Sequence, residues 1–357
     1  MLLVIPDISG FTEFVHSTAI EHSQHIISEL LEVIIDANDS GLEVSEIEGD
    51  AVLFFRFGED RDGAEVVRQA ERMYKAFHGH LLQYDRDRIC QCGACSSAID
   101  LTLKVVAHRG EAGEMRIKEH RKLIGEDVIV AHRLLKNDVP GSEYVLLSCI
   151  PEPDGDWQSG AQEDKSLGSL LYSYKDISAL RDEVELPAVQ PPVFNAHPNP
   201  VFAEIQIEAP LTRVYEMMTD YDERVRWTPG LTQIKFDRSR IPRVGTKHVC
   251  VVNGKDLDVE AISARRLDGG EVEILERNDS VPVLGSIIAK LQLSGNENLS
   301  NVRMEIHPQN PGFLGRMMFK FARGCMTKSF CGSLEVLKET AEAEVRENSE
   351  QRTPEPV

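Results

Sequence analysis

The chain has 357 residues, 41% of them hydrophobic, and a formal net charge of −20. That length favours two domains over one. No apolar run reaches the roughly 18 residues a membrane helix needs, and an acidic chain is poorly suited to non-specific nucleic-acid binding, which depends on cationic contacts to phosphate. The charge is uneven: residues 1–192 carry 18 Lys+Arg against 35 Asp+Glu, and the remainder 21 against 24. The opening Met1-Leu2-Leu3-Val4-Ile5-Pro6 has no basic segment and is too short for a signal peptide, so a cytoplasmic protein is expected. Seven cysteines in that compartment point to thiols or metal ligands rather than disulfides.

The first element is a short apolar strand, Leu2 to Ile5, that ends in Asp7 and turns through Ser9-Gly10 towards a helix. An acid at the tip of a buried strand is costly unless it is paired or bound to a metal. Residues 13–37 show helical spacing, with Ile20, Ile26, Ile27, Leu30, Leu31, Ile34 and Ile35 recurring along it. His22 and His25 on that helix are close enough to share a metal, although a solvated polar face explains them more simply. Then come two apolar strands around the turn Glu48-Gly49-Asp50. If the strands pair side by side, Asp7 and Asp50 converge, and two carboxylates at one place ask for a hard cation with oxygen ligands. The plainer alternative is a helix-capping Asp7 and an Asp50 in a solvated turn.

A charged loop, 58–63, leads to a helix over 64–84. Cys90, Cys92 and Cys95 then place three thiols in six residues. Thiolates suit zinc or an iron–sulfur centre. A closed zinc site needs a fourth ligand, for which His80, His108 or a partner chain could serve, and plain reduced thiols explain the segment equally well. Residues 98–108 read as a strand, 115–117 as another, Lys118 to Lys122 as a solvated loop and 125–136 as a helix. Strands follow at 144–147 and 170–174.

Prolines at 187, 191, 192, 198 and 200 make residues 184–200 a semi-rigid linker. The expected organisation is a first domain over 1–183, a second over 201–345 and a disordered tail over 346–357. The second half opens with an alternating strand, 202–208, and a helix after Ala209-Pro210. The segment Trp227-Thr228-Pro229-Gly230, six strand-like runs between 232 and 306, and a long helix from Pro311-Gly312 to about 344 complete it.

Asp7-Ile8-Ser9-Gly10-Phe11-Thr12 followed by the Gly49-Asp50 hairpin resembles the catalytic core of class III nucleotide cyclases. Residues 103–113 are similar to the central strand and turn of those enzymes. Residues 123–134 are similar to their glycine-started helix, which ends in an arginine. The resemblance covers the first half of the chain and is nearest to a cyclase-related group of uncharacterised proteins. The second half, by element order and Trp227-Thr228-Pro229-Gly230, resembles the START-like (SRPBCC, polyketide cyclase-like) superfamily. Together they imply a two-domain α+β protein: a ferredoxin-like, cyclase-type α/β sandwich followed by a START-like helix-grip fold.

The first resemblance implies two Mg2+ or Mn2+ ions held by Asp7, Asp50 and the Ile8 carbonyl. It implies phosphate contacts from Ser9, Gly10, Phe11 and Thr12, base selection by Glu46 and Lys122, and transition-state stabilisation by Arg133. The partner is then a purine nucleoside triphosphate and the assembly a homodimer. The chain departs from the pattern in three ways: Ile129 stands where an asparagine orients the ribose, Lys122 matches neither usual base-selecting residue, and the late lysine that contacts the phosphates has no match. The second resemblance implies an apolar small molecule in a pocket near Trp227, Met317, Met318 and Phe321; the alternative is that these merely fill the core. Two functions stay open: a divergent purine nucleotide cyclase, or a non-catalytic sensor that binds nucleotide or dimerises in one half and binds a hydrophobic ligand in the other.

Overall fold

The chain is described by a computed structural model that covers residues 1–357 except 17–19, 59–61, 91–92, 119, 187–191, 238–241, 268–269, 282 and 352–357. It is a mixed α+β protein with two open seven-stranded sheets. The residues group into two compact units, 1–85 with 93–187, and 86–92 with 188–357. Among the described residues no helix is long and apolar enough to cross a membrane.

In the first unit the strands are β1 (Leu2–Ser9), β2 (Glu43–Glu48), β3 (Ala51–Arg56), β4 (Thr102–Arg109), β5 (Gly113–Ile117), β6 (His120–Ile124), β7 (Tyr144–Ser148), β8 (Gln158–Asp164) and β9 (Gly168–Asp176). The helices are α1 (Phe11–His16), α2 (Ile20–Asp36), α3 (Gly63–Asp87), α4 (Gly93–Ser97) and α5 (Glu126–Leu134). The main sheet runs β2-β3-β1-β4-β7-β9-β8. Only β4 and β7 are parallel. β1 lies between β3 and β4, and Leu2 to Ile5 are all buried, as an unbroken apolar strand requires when both sheet faces are covered. On one face Leu3, Ile5, Ala51, Leu53 and Phe55 pack against Leu123, Val128 and Ala131, so α5 and the end of β6 cover the strands that carry the site.

Three local expectations change. The single helix over 13–37 is two, α1 and α2, on either side of residues outside the described set. Of the segment expected as a solvated loop, Lys118 lies in a turn at φ +57° and His120 to Lys122 begin strand β6, paired with β5; residue 119 lies outside the described residues. Strand β8, too polar to stand out in the sequence, completes the sheet edge by pairing with β9.

In the second unit β10 (Val201–Ile207) is followed by α6 (Leu211–Thr219) and α7 (Tyr221–Trp227). Then come β11 (Leu231–Lys235), β12 (Lys247–Val252), β13 (Lys255–Arg266), β14 (Val272–Val281), β15 (Gly285–Gly295), β16 (Ser300–Gln309) and α8 (Phe313–Gln351). All strand pairs are antiparallel, in the order β10-β16-β15-β14-β13-β12-β11. On α8, Phe319, Leu334, Leu337 and Ala341 are buried, and Met326 and Phe330 pack beside them. This is one stripe at helical spacing, each large side chain contributing about 1.5–3 kcal/mol of burial.

Candidate functional site

The β1–β4 register sets the site. Asp7 lies directly across from Lys104 on β4 and from Ala51 on β3. Cross-strand neighbours on one face are within side-chain reach, and Lys104 Nζ is 3.0 Å from Asp7 Oδ2. The same ammonium donates to the Leu135 carbonyl at 3.3 Å. Asp50 arrives through the β2–β3 hairpin, whose Gly49 takes φ +63°, as a two-residue turn requires of its first position. The Ile8 amide donates to the Asp50 carbonyl at 3.1 Å, which fixes the turn beside Asp7. Burial pushes the Asp50 carboxyl above its ordinary value. The Asp7 charge adds to that push, while Asp50's own backbone hydrogen bond and Lys104 oppose it. The two acids therefore share one spot, with a lysine on β4, the strand that flanks β1 on the side away from β3.

The two-residue turn of the β2–β3 hairpin sets Glu48 opposite Ala51 and Glu46 opposite Leu53, so both acids stand on the face that holds α5; the register shifts only beyond them, between Glu46 and Val44. Helix α5 is anchored there by Asp127, which accepts from His108 Nε2 at 2.9 Å and from the Glu111 amide. At its start, a Cβ on Gly125 would stand 2.9 Å from the Glu111 carbonyl, so only glycine allows that approach. The helix then presents His132 Nδ1 at 3.8 Å from Glu48 Oε2 and Arg133 Nε at 3.4 Å from Asp164 Oδ2. Lys122 on β6 pairs with Glu46 at 3.2 Å.

Asp7, Asp50, Lys104, Glu48, His132 and Arg133 line one open cavity of about 810 Å³, together with the apolar Ile5, Leu53 and Val128. Of the residues singled out in the sequence, Asp7, Asp50, Glu46, Lys122, Arg133 and Ile129 line it. Ser9, Gly10, Phe11 and Thr12 lie at the β1–α1 turn and do not. Four polar lining residues were not singled out: Lys104, Glu48, His132 and Lys136. Lys104 had a visible signal, a lone cation inside the apolar run Leu103-Lys104-Val105-Val106.

The cysteine segment is only partly within the described residues. Cys92 lies outside them, and Cys90 belongs with the second unit. Cys95 is buried, accepts from Tyr84 Oη at 3.0 Å, and has His22 Nδ1 at 3.6 Å. The six described cysteines form no disulfide. His80 and His108, weighed as further ligands, are engaged elsewhere: His80 with Glu29 at 3.3 Å and His108 with Asp127.

In the second unit the four residues expected around an apolar ligand do not share one environment. Trp227 is in the core and donates to the Met217 carbonyl at 2.6 Å. Met317, Met318 and Phe321 are exposed, Phe321 by 79%. The reason is helical phase: they lie across the helix from the buried Phe319 stripe. The polar interior is elsewhere. Arg224 on α7 makes a bidentate pair with Glu276 on β14, at 2.7 and 2.9 Å. Burial alone would raise the Glu276 carboxyl, but the Arg224 charge and its hydrogen bonds outweigh that and hold it low. His248, only 2% exposed, stacks on Tyr221 with ring centres 4.3 Å apart. Burial drives its pKa down to about 4; Glu276 opposes this and Arg224 reinforces it.

Residues 27–144 match a family model described as Protein of unknown function (DUF2652). The chain is 37% identical over 124 residues to the uncharacterized protein Rv2561/Rv2562 of Mycobacterium tuberculosis; the match covers 35% of this chain and 58% of that protein. Among solved structures, the guanylyl cyclase Cya2 is similar over 48% of this chain and 89% of its own, at 14% identity and a TM-score of 0.37. The adenylyl cyclase CyaB from P. aeruginosa is similar over 49% and 93%, at 15% identity and 0.34. A STAR-related lipid transfer protein from Xanthomonas axonopodis is similar over 39% and 84%, at 12% identity and 0.32.

Proposed function

We propose that the first unit is a cyclase-type α/β domain that binds a purine nucleoside triphosphate without efficient turnover, and that the second is a helix-grip domain for an apolar small molecule. The protein is then a sensor rather than an enzyme. The observation that carries this is the Asp7–Lys104 pair at 3.0 Å inside the cavity. A two-ion mechanism needs both carboxylates open to cations; here an ammonium already holds one Asp7 oxygen. The remaining donors fit one divalent ion, taken by Asp50 and the other Asp7 oxygen, better than two. Such an ion would neutralise phosphate charge.

Lys122, Arg133 and Lys136 face the same cavity and supply the cationic contacts that phosphates need. Ile129, 52% exposed in the cavity wall, offers the ribose no hydrogen bond, and loss of orientation costs rate steeply. Ile124 and Ile129 leave an apolar rim at the mouth that a second copy of the chain would cover. For the second unit, the reading draws on one antiparallel sheet, β10-β16-β15-β14-β13-β12-β11, and a long helix, α8, that buries a stripe of Phe319, Leu334 and Leu337.

The second reading, a slow cyclase, draws on Asp50 and Arg133 lining one cavity. Calorimetry with ATP and GTP in Mn2+, alongside mass-spectrometric detection of cyclic nucleotide, separates the two. The sensor reading expects binding, weakened in Lys122→Ala and Arg133→Ala, with no cyclic product. Product that disappears in Asp50→Ala would establish the cyclase instead, and absence of binding would remove both.

A further inference from the structure

The cavity holds a second constellation, of which the nucleotide reading uses only Glu46. Glu46, Glu48 and His132 each offer one ligand atom, and the three atoms lie within 4.8 Å of one another. We infer that these three residues form a site for a single zinc-like divalent metal ion, open on the cavity side.

The site is set up by the fold rather than by proximity in sequence. Glu46 and Glu48, two residues apart on β2, point to one face in the register set by the hairpin turn, and the Asp127 anchor holds α5 so that His132 meets them. Donors bound at about 2.0–2.1 Å around a tetrahedral ion stand roughly 3.4 Å apart. The 3.8 Å between His132 Nδ1 and Glu48 Oε2 is near that spacing and too long for a hydrogen bond, so the imidazole is not consumed by the carboxylate. One imidazole with two carboxylates suits zinc or cobalt better than magnesium, which keeps to oxygen. Three protein ligands leave a coordination position for water or for a ligand in the cavity, the arrangement of reactive rather than structural zinc sites. Lys122, 3.2 Å from Glu46, is the competing cation; its side chain is 54% exposed and can move aside.

The test uses metal-free full-length protein titrated with Co2+ and no nucleotide, followed by visible absorption, so the outcome is separate from the nucleotide reading. In the Asp50→Ala background, which removes the other carboxylate site, one Co2+ per chain is expected, without the charge-transfer absorption of thiolate ligation. Loss of an outer-shell partner costs about 10–100-fold in affinity; His132→Ala and Glu48→Gln, which remove ligands, should weaken binding by at least about tenfold. Lys122→Met should tighten it, and His80→Ala should leave it unchanged. No stoichiometric binding overturns the site. So does binding undiminished in His132→Ala, or a thiolate spectrum, which would move the metal to the cysteines. Glu48 is 54% exposed at the side chain, so Glu48→Gln keeps the test decisive if His132→Ala fails to fold.

Discussion

Lys104 stands opposite Asp7 in the β1–β4 register, and its ammonium is 3.0 Å from the carboxylate. A residue chosen by strand pairing thus sets the charge of the cavity. Replacing it with methionine keeps the stem and removes the charge. Asp7 and Asp50 then face each other uncompensated. We expect Lys104→Met to lose about 1–3 kcal/mol of stability in the absence of metal. It should gain Mn2+ affinity about tenfold, the effect of roughly 1.4 kcal/mol. Thermal melts with and without Mn2+, and Mn2+ titration by electron paramagnetic resonance, measure both. Unchanged Mn2+ affinity would mean the pair does not guard an ion site.

Asp50 supplies a pH signature. Its carboxyl titrates above its unfolded value because of burial and the Asp7 charge. A raised carboxyl favours the folded state while protonated, so its contribution is full below the unfolded pKa and is lost as pH rises through the folded one. Asp50→Asn should therefore raise the melting temperature at pH 7 and lose that advantage near pH 3. A substitution that destabilises at both pH values would mean the carboxylate makes favourable contacts that outweigh its burial.

Arg224 and Glu276 are each 12% exposed at the side chain and joined by two hydrogen bonds. Removing one partner strands the other. Arg224→Met should cost about 3–5 kcal/mol, whereas the double change Arg224→Met with Glu276→Leu should recover most of it. Urea unfolding of the two variants checks this. Equal losses would show that the guanidinium matters for packing rather than as a counter-charge.

His248 makes the second unit acid-sensitive. Its pKa falls from an ordinary 6.5 to about 4 on burial. A depressed histidine stabilises fully above the unfolded pKa, and that stability drains as pH drops from about 6.5 to 4, to a total on the order of 3 kcal/mol. His78 in the first unit, lowered to about 4 chiefly by burial and then by Arg181, acts in the same window. The melting temperature should fall through this range. His248→Leu should flatten the part that belongs to the second unit, and a profile identical to the parent would count against a neutral buried imidazole.

The sequence by itself determined most of the element order of both halves, because apolar periodicity and turn chemistry are local properties, and it missed the polar β8 and the exposed hairpin β5–β6. Leu2 to Ile5 had to be a strand with both faces covered, and Gly49 had to turn a hairpin that carries Asp50. The meeting of Asp7 and Asp50 followed from those two stretches once the strands paired. What faces those acids was not legible, because register is a tertiary choice. A one-residue slip of β4 would send Lys104 to the other side of the sheet. Likewise the packing of α5 against the face that carries Glu48 decides that Glu48 meets His132, residues 84 positions apart. The long helix shows the opposite limit. Its apolar residues occupy two sides, at Met317 and Phe321 and at Phe319 and Leu334, and only packing against the sheet selects which side is buried.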